Sequence, residues 1–278
     1  MADDRLLKRY ARRGYRLPGG WLSRGAVDLC TALHECQRAR GIRGAVCEIG
    51  VHHGKLFTLL YLMAESGDKA LAIDLFEQQE LNVDHSGRGV LEILRRNLRK
   101  HAGGVDRLVV VAGDSAEIDG RRILSETGAP VKLFSVDGGH TEDIVAHDMA
   151  TAAESICRGG IIIADDCFNE TWPGVSAGMA RFLGGDAGSR IIPFAVGGNK
   201  LFLTTADHAE LYRRHLEGTR IYCEFRLPSR FHGHDVLVYQ FVPEAWDVFK
   251  RTLWCRFKNG VLGRRLRAWR QARRERRA

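Results

Sequence analysis

The sequence predicts an α/β fold: a mostly parallel, seven-stranded sheet flanked by helices and ending in a β-hairpin. Three observations carry this. Five apolar runs of strand length recur from residue 44 onward, helix-length stretches separate them, and two further apolar runs meet at a Gly-Gly-Asn turn. Repeated strand–helix units imply parallel pairing with right-handed crossovers. At 278 residues the chain is long enough to bury one full core with appendages.

The elements follow in order. Residues 1–43 read as a helical lead-in, with Leu29, Leu33 and Cys36 on one face. The strands are expected at 45–50 (AVCEIG), 69–75 (KALAIDL), 107–114 (RLVVVAGD), 131–138 (VKLFSVDG) and 160–166 (GIIIADD). Their interiors are nearly continuous Val, Ile, Leu and Ala, the pattern of strands covered on both faces. Helices are expected at 54–65, 89–101, 119–127 and 141–157, and the hairpin at 190–205. Residues 44–205 therefore form the α/β domain, and 206–248 a C-terminal extension with a helix near 208–217 and a strand near 235–242. Residues 249–278 form a basic amphipathic tail in which Phe249, Leu253, Phe257 and Val261 recur every fourth position.

Composition narrows the classes. The net charge of +8 is local: from Lys250 to Arg277 twelve Lys/Arg stand against one acid, leaving the rest of the chain mildly acidic. A nucleic-acid-reading core is not expected, and no nucleic-acid partner is assigned. The tail's expected partners are its own domain, a second subunit in a homo-oligomer, or an anionic surface in peripheral membrane contact. No apolar run approaches the ~20 residues that span a bilayer. The opening stretch lacks the apolar core of a signal peptide. Seven cysteines, none in a C-x-x-C pair, suit reduced thiols, so the expected location is cytoplasmic.

Chemistry-bearing residues cluster at the ends of the expected strands. CEIGVHHGKLF runs from the first strand into the first helix. Gly50 permits a tight turn that brings backbone near a ligand, Gly54 keeps the helix start uncrowded, and Glu48 can face a cationic group. Val51 and His52 lie in the same loop. The spacing is not the G-x-G-x-x-G of dinucleotide binding. Asp74, followed by Leu75, ends the second strand where ribose hydroxyls lie in open α/β sheets, and Asp114-Ser115 ends the third, placed to reach an adenine amino group. Either could instead cap the following turn.

The fourth and fifth strands end in SVDGGHTED and IIIADDCFNE, so Asp137, Asp165 and Asp166 emerge side by side. Carboxylates packed together repel unless a cation or a proton intervenes, and an oxygen donor set suits Mg²⁺ better than zinc. His140, whose ordinary pKa is near neutral, is the natural general base. The 76–89 loop, with Asn82, Asp84, His85 and Arg88, is long for a strand-to-helix connection and reads as either a lid or a solvated loop. Phe168, Trp172, Pro173 and His232 could line an acceptor pocket or belong to the core.

Taken in order, CEIGVHHGKLF, AIDLFE, AGDS, SVDGGH and GGIIIADD resemble the motifs of class I S-adenosylmethionine-dependent methyltransferases, over about 44–205. The nearest group is the small-molecule O-methyltransferases that include macrocin O-methyltransferase-like and cephalosporin-hydroxylase-like proteins. The resemblance implies a Rossmann-like fold, S-adenosylmethionine bound by Glu48, Gly50, Val51, His52, Gly54, Asp74, Leu75, Asp114, Ser115 and Asp137, and a divalent metal on Asp137, Asp165 and Asp166. It leaves His140 or Asp137 as the base. The Asp-Pro-Pro-aromatic motif of amide and base N-methyltransferases is replaced by Asp-Gly-Gly-His, which favours a hydroxyl on a small-molecule acceptor. Alternatives left open are a hydroxylase-like use of the same acids and a noncatalytic cofactor-binding scaffold. Lys55 is a departure from the first motif; it is expected either to pair with the methionine carboxylate or to point to solvent.

Overall fold

The computed structural model describes residues 2–243; the basic tail lies outside them. The described residues through Phe241 form one compact unit. Helices α1 (Ala2–Arg12) and α2 (Arg24–Ala39) precede the sheet. Its first five strands are β1 (Ala45–Ile49), β2 (Ala70–Asp74), β3 (Leu108–Ala112), β4 (Val131–Val136) and β5 (Ile156–Asp165). Between and after them run α3 (Lys55–Met63), α4 (Leu91–Ala102), α5 (Gly120–Thr127), α6 (Glu142–Ser155) and α7 (Pro173–Gly184). Then follow β6 (Ile191–Gly197), β7 (Lys200–Thr205), α8 (Ala209–Gly218), β8 (Phe225–Phe231) and β9 (His234–Gln240).

The sheet has nine strands, in the order β3-β2-β1-β4-β5-β7-β6-β9-β8. This corrects the seven-stranded expectation, and the β6–β7 hairpin is not the sheet's end. β9 adds to β6 in parallel and β8 pairs antiparallel with β9. β8, Phe-Arg-Leu-Pro-Ser-Arg-Phe, gives no apolar-run signal because it is an exposed edge strand, and its proline is tolerated there. Both hairpins turn on two residues of positive φ: Gly198-Asn199 and His232-Gly233.

β1 to β5 pair in parallel, with register shifts at the start of β1 and of β4. Every residue of β1 and β4 is buried, as their apolar runs require. One core layer packs α1–α4 and α8 on one face, including Leu29, Leu33 and Cys36 of the lead-in; the other packs α5–α7 on the opposite face. Caps fix the helix starts: Ser23 accepts from the Ala26 N–H, Asp119 from Arg122 and Thr141 from Ile144. No helix among the described residues is long and apolar enough to cross a membrane.

Candidate active site

Strand order reverses between β1 and β4, and open α/β sheets bind ligands outside the carboxyl ends at that point. Here the strand ends are locked by backbone bonds: Asp137 N–H to the Ile49 carbonyl, Gly50 N–H to Ile73, and Gly113 N–H to Asp74. Gly50 has φ +83°, and a Cβ there would run into the Asp137 carbonyl oxygen. Only glycine lets the two chains pass so closely. Above this crossing lies a cavity of about 740 Å³, within the range of small-molecule sites.

Its lining gathers most of the residues expected from the sequence: Gly50, His52, Asp74, Leu75, Asp114, Ser115, Asp137, His140, Asp165 and Asp166. Glu48, Val51 and Gly54 are not in the lining. Glu48, 2% exposed, sits within β1 opposite Ser135 of β4. Burial pushes its carboxyl up to about 8, against the pull of Lys200. Val51 is buried, and Gly54 packs against Leu94 at the start of α3. Lys55 donates to the Gly20 carbonyl at 2.9 Å, tying the lead-in to α3.

Asp74 accepts backbone N–H bonds from His52 and Phe76, both 2.7 Å, which orient it at the tip of β2. Asp114 accepts from Ala116 N–H at 3.0 Å, so it caps the short turn after β3 while still facing the cavity. Ser115 Oγ lies 3.1 Å from Asp148, a buried acid of α6 that has no strand-end signal in the sequence.

At the acidic end, the three aspartates part company. Lys200, fully enclosed at the start of β7, donates to Asp165 Oδ2. Asp165 also accepts the Asp166 N–H at 2.9 Å. Asp137, His140 and Asp166 instead bring one donor atom each within 4.8 Å of one another. Of the three acids expected to hold a metal, Asp137 and Asp166 converge here, while Asp165 is paired with Lys200. Burial and the neighbouring Asp165 hold the Asp137 carboxyl well above the ordinary range. Burial opposes ionisation of Asp166, but bonds from His140, Asn169 and Asn199 outweigh it and hold that carboxyl below the ordinary range. A crowded oxygen set with one desolvated acid fits a hard divalent cation.

His140 is gripped on every side. Nδ1 lies 2.6 Å from Asp84 Oδ2 and Nε2 3.3 Å from Asp166 Oδ2. Trp172 stacks on the ring, centroids 4.2 Å apart. Burial would lower the imidazole's affinity for a proton, but the two carboxylates outweigh it and raise it. Of the six non-glycine residues at positive φ among the described residues, His52, His85, Asp166 and Asn199 line the cavity. Strain concentrated at one place is a mark of a functional site.

Trp21, 79% exposed, also lines the cavity, its ring 5.8 Å from that of His52. The sequence gives the lead-in only as helix; the Pro-Gly-Gly-Trp run that breaks it is the available signal. Asn199 was legible only as a turn residue, and Lys200 only as the first residue of a strand. Of the acceptor residues considered, Trp172 lines the cavity. Phe168 instead meets Phe231 edge-on and His232 packs on Phe231, while Pro173 opens α7.

A mostly parallel sheet with this switch point, an acid-tipped crevice and glycine at the strand crossing give the Rossmann-like methyltransferase fold. Residues 47–167 match the family model described as a methyltransferase domain. Among solved structures, the O-methyltransferase NovP is similar at 12% identity, TM-score 0.53, over 73% of this chain and 98% of that one; this likeness shows the fold. TomG, an O-methyltransferase from Streptomyces achromogenes involved in tomaymycin synthesis, aligns at 21% identity, TM-score 0.48, over 71% of this chain and 87% of that one. CalS11, a TDP-rhamnose 3'-O-methyltransferase of calicheamicin biosynthesis, aligns at 22% identity, TM-score 0.47, over 67% and 83%. No curated protein matches.

Proposed function

We propose that the chain methylates a hydroxyl of a small-molecule acceptor, with His140 as general base and a divalent cation, Mg²⁺ by its donor chemistry, held by Asp137 and Asp166. The observation that carries this is His140 fixed between Asp84 and Asp166 beside a half-buried Asp137, at the mouth of a cavity whose other end is tipped by Asp74 and Asp114. S-adenosylmethionine supplies the methyl group from its sulfonium, and the metal would make a nearby hydroxyl more acidic.

The chain's own residues do the rest. Asp74 is oriented to accept from ribose hydroxyls, since its two backbone bonds leave lone pairs free. Asp114, which lines the same cavity, would accept from the adenine amino group. His140 takes the hydroxyl proton as the oxygen–methyl bond forms and the sulfur–methyl bond breaks. The imidazolium that results lies between two carboxylates, which stabilise it. Asp165, neutralised by Lys200, keeps Asp166 in place through its N–H. Trp21, Leu81 and Val83, all exposed, surround the mouth. They support an acceptor with an apolar or ring-bearing body rather than a highly charged one.

The test is methyl transfer from labelled S-adenosylmethionine to a panel of phenolic, polyketide and sugar alcohols, before and after chelation. Label on an acceptor oxygen, lost with EDTA and restored by Mg²⁺, is expected. Transfer that survives exhaustive chelation would remove the metal, and labelling of amines alone would remove the hydroxyl.

A further inference from the structure

We propose that Asp84 is a positioning residue that latches the 76–89 loop onto His140, so that lid closure and orientation of the base are one event. The proposal deepens the reading of His140 as base and rests on it. Asp84 and His140 lie 56 positions apart, yet one carboxylate oxygen, Oδ2, accepts both the His140 backbone N–H at 2.8 Å and bonds to its Nδ1 at 2.6 Å. Both side chains are only 10% exposed. A carboxylate cannot donate, so Asp84 holds a proton on Nδ1, which leaves Nε2, 3.3 Å from Asp166, as the ring nitrogen that exchanges its proton on the cavity side.

The loop is built to deliver that carboxylate. Phe76, fully buried, anchors its start, and Gly89 packs against Asp74 at its end, where a Cβ would strike the carboxylate. Between these feet, Asn82 Nδ2 reaches Gln79 Oε1 at 3.2 Å and the carbonyls of Ser86 and Gly87 at 3.4 and 3.1 Å. Asp84 Oδ1 takes the Ser86 N–H at 2.8 Å, which turns Oδ2 toward His140. The loop is thus braced by its own bonds, while its cavity-facing aspartate grips the group that moves the proton. Trp172 stacks on one face of the ring, leaving Asp84, at Nδ1, to set its rotation. With the loop up, the imidazole loses both its tautomer selector and its stop; with the loop down, the site is closed over the cofactor and the base is aimed.

The experiment uses the full chain and two readouts. Hydrogen exchange of the 76–89 amides, with and without S-adenosylhomocysteine, reads the latch directly. Asp84→Ala and His140→Ala should each speed exchange of this loop at least about tenfold, because either removes one half of the same contact. Turnover of Asp84→Ala and Asp84→Asn should fall about a hundredfold in kcat, with the calorimetric affinity for S-adenosylhomocysteine and the KM for acceptor changed by no more than about twofold. A merely structural loop residue would move KM or affinity along with kcat. Asp84→Asn guards against misfolding, being isosteric, and its amide cannot serve both Ser86 and His140 as the two oxygens do. Unchanged loop exchange in both alanine variants, or unchanged kcat in both Asp84 variants, overturns the proposal. Absence of cofactor binding or of methyl transfer in the unaltered protein would instead overturn the methyltransferase reading, while the exchange data would still decide whether the latch exists.

Discussion

The parallel and antiparallel halves of the sheet share one set of hydrogen bonds but divide the labour. From β3 through β5 every strand runs the same way, so every strand tip opens on one edge, and Gly50, Asp74, Asp114, Asp137 and Asp165 arrive there together. From β7 through β8 the pairings are antiparallel apart from β6–β9, and of these strands' connections only the β6–β7 turn reaches the cavity, through Asn199. That turn nonetheless contributes Lys200, the cation that settles Asp165. Parallel order gathers a site; the antiparallel extension completes the sheet and supplies one charge to it.

The predictions probe this division, from the largest effect downward. His140→Ala should lower turnover about 10²–10⁴-fold with cofactor affinity nearly unchanged, measured by steady-state kinetics beside calorimetry. Lys200→Met leaves Asp165 buried beside Asp137 without its partner; removing one member of a buried pair costs about 3–5 kcal/mol, read by denaturant unfolding. An unfolding midpoint equal to wild type would show that the antiparallel half supplies nothing essential. Gly50→Ala and Gly233→Ala form a matched pair, both at positive φ. The first collides with backbone and should destabilise by at least about 3 kcal/mol. The second meets open space and should cost only about 1–2 kcal/mol with activity intact.

Glu48 gives a pH-dependent test within the parallel half. Its folded carboxyl stands near 8 against an ordinary 4.5. Between those values the unfolded chain has lost the proton that the folded chain keeps, so stability falls as pH rises through this window. Glu48→Gln should therefore unfold with a shallower pH dependence, gaining on wild type by up to a few kcal/mol by pH 8. Parallel curves would show that Glu48 is not held protonated. The smallest effect is at the rim: Trp21→Ala should raise the acceptor KM several-fold, with unfolding unchanged within about 0.5 kcal/mol.

Much of this was legible in the sequence because the parallel half writes itself in apolar runs. The five strands, the tight turn at Gly50 and the tip acids could be read from AVCEIG through GIIIADD, since β1, β2, β4 and the second half of β5 are buried on both faces and the half-buried edge strand β3 keeps an apolar run. What could not be read follows equally from physics. β8 is an exposed edge with proline and two arginines, so no hydrophobic pattern marks it. Asp165 looks the same as Asp166 in sequence; only the fold reveals that Lys200, 35 positions later, claims it. Lys55 left two readings open, and its bond to Gly20 comes from a lead-in whose path no periodicity records. Asp84 was visible as one polar residue in a long loop, but its grip on His140 depends on a turn held by Asn82 and Ser86. Asp114 does cap the turn, and the same residue lines the crevice.

The most direct test of the central claim is a calorimetric titration of the full-length protein with S-adenosylmethionine and, separately, with NAD. One site per chain for the sulfonium nucleoside, weakened more than about tenfold by Asp74→Ala and untouched by Gly233→Ala, with no heat from NAD, is the expected result. NAD binding in preference to S-adenosylmethionine, or affinity indifferent to Asp74, would contradict the account.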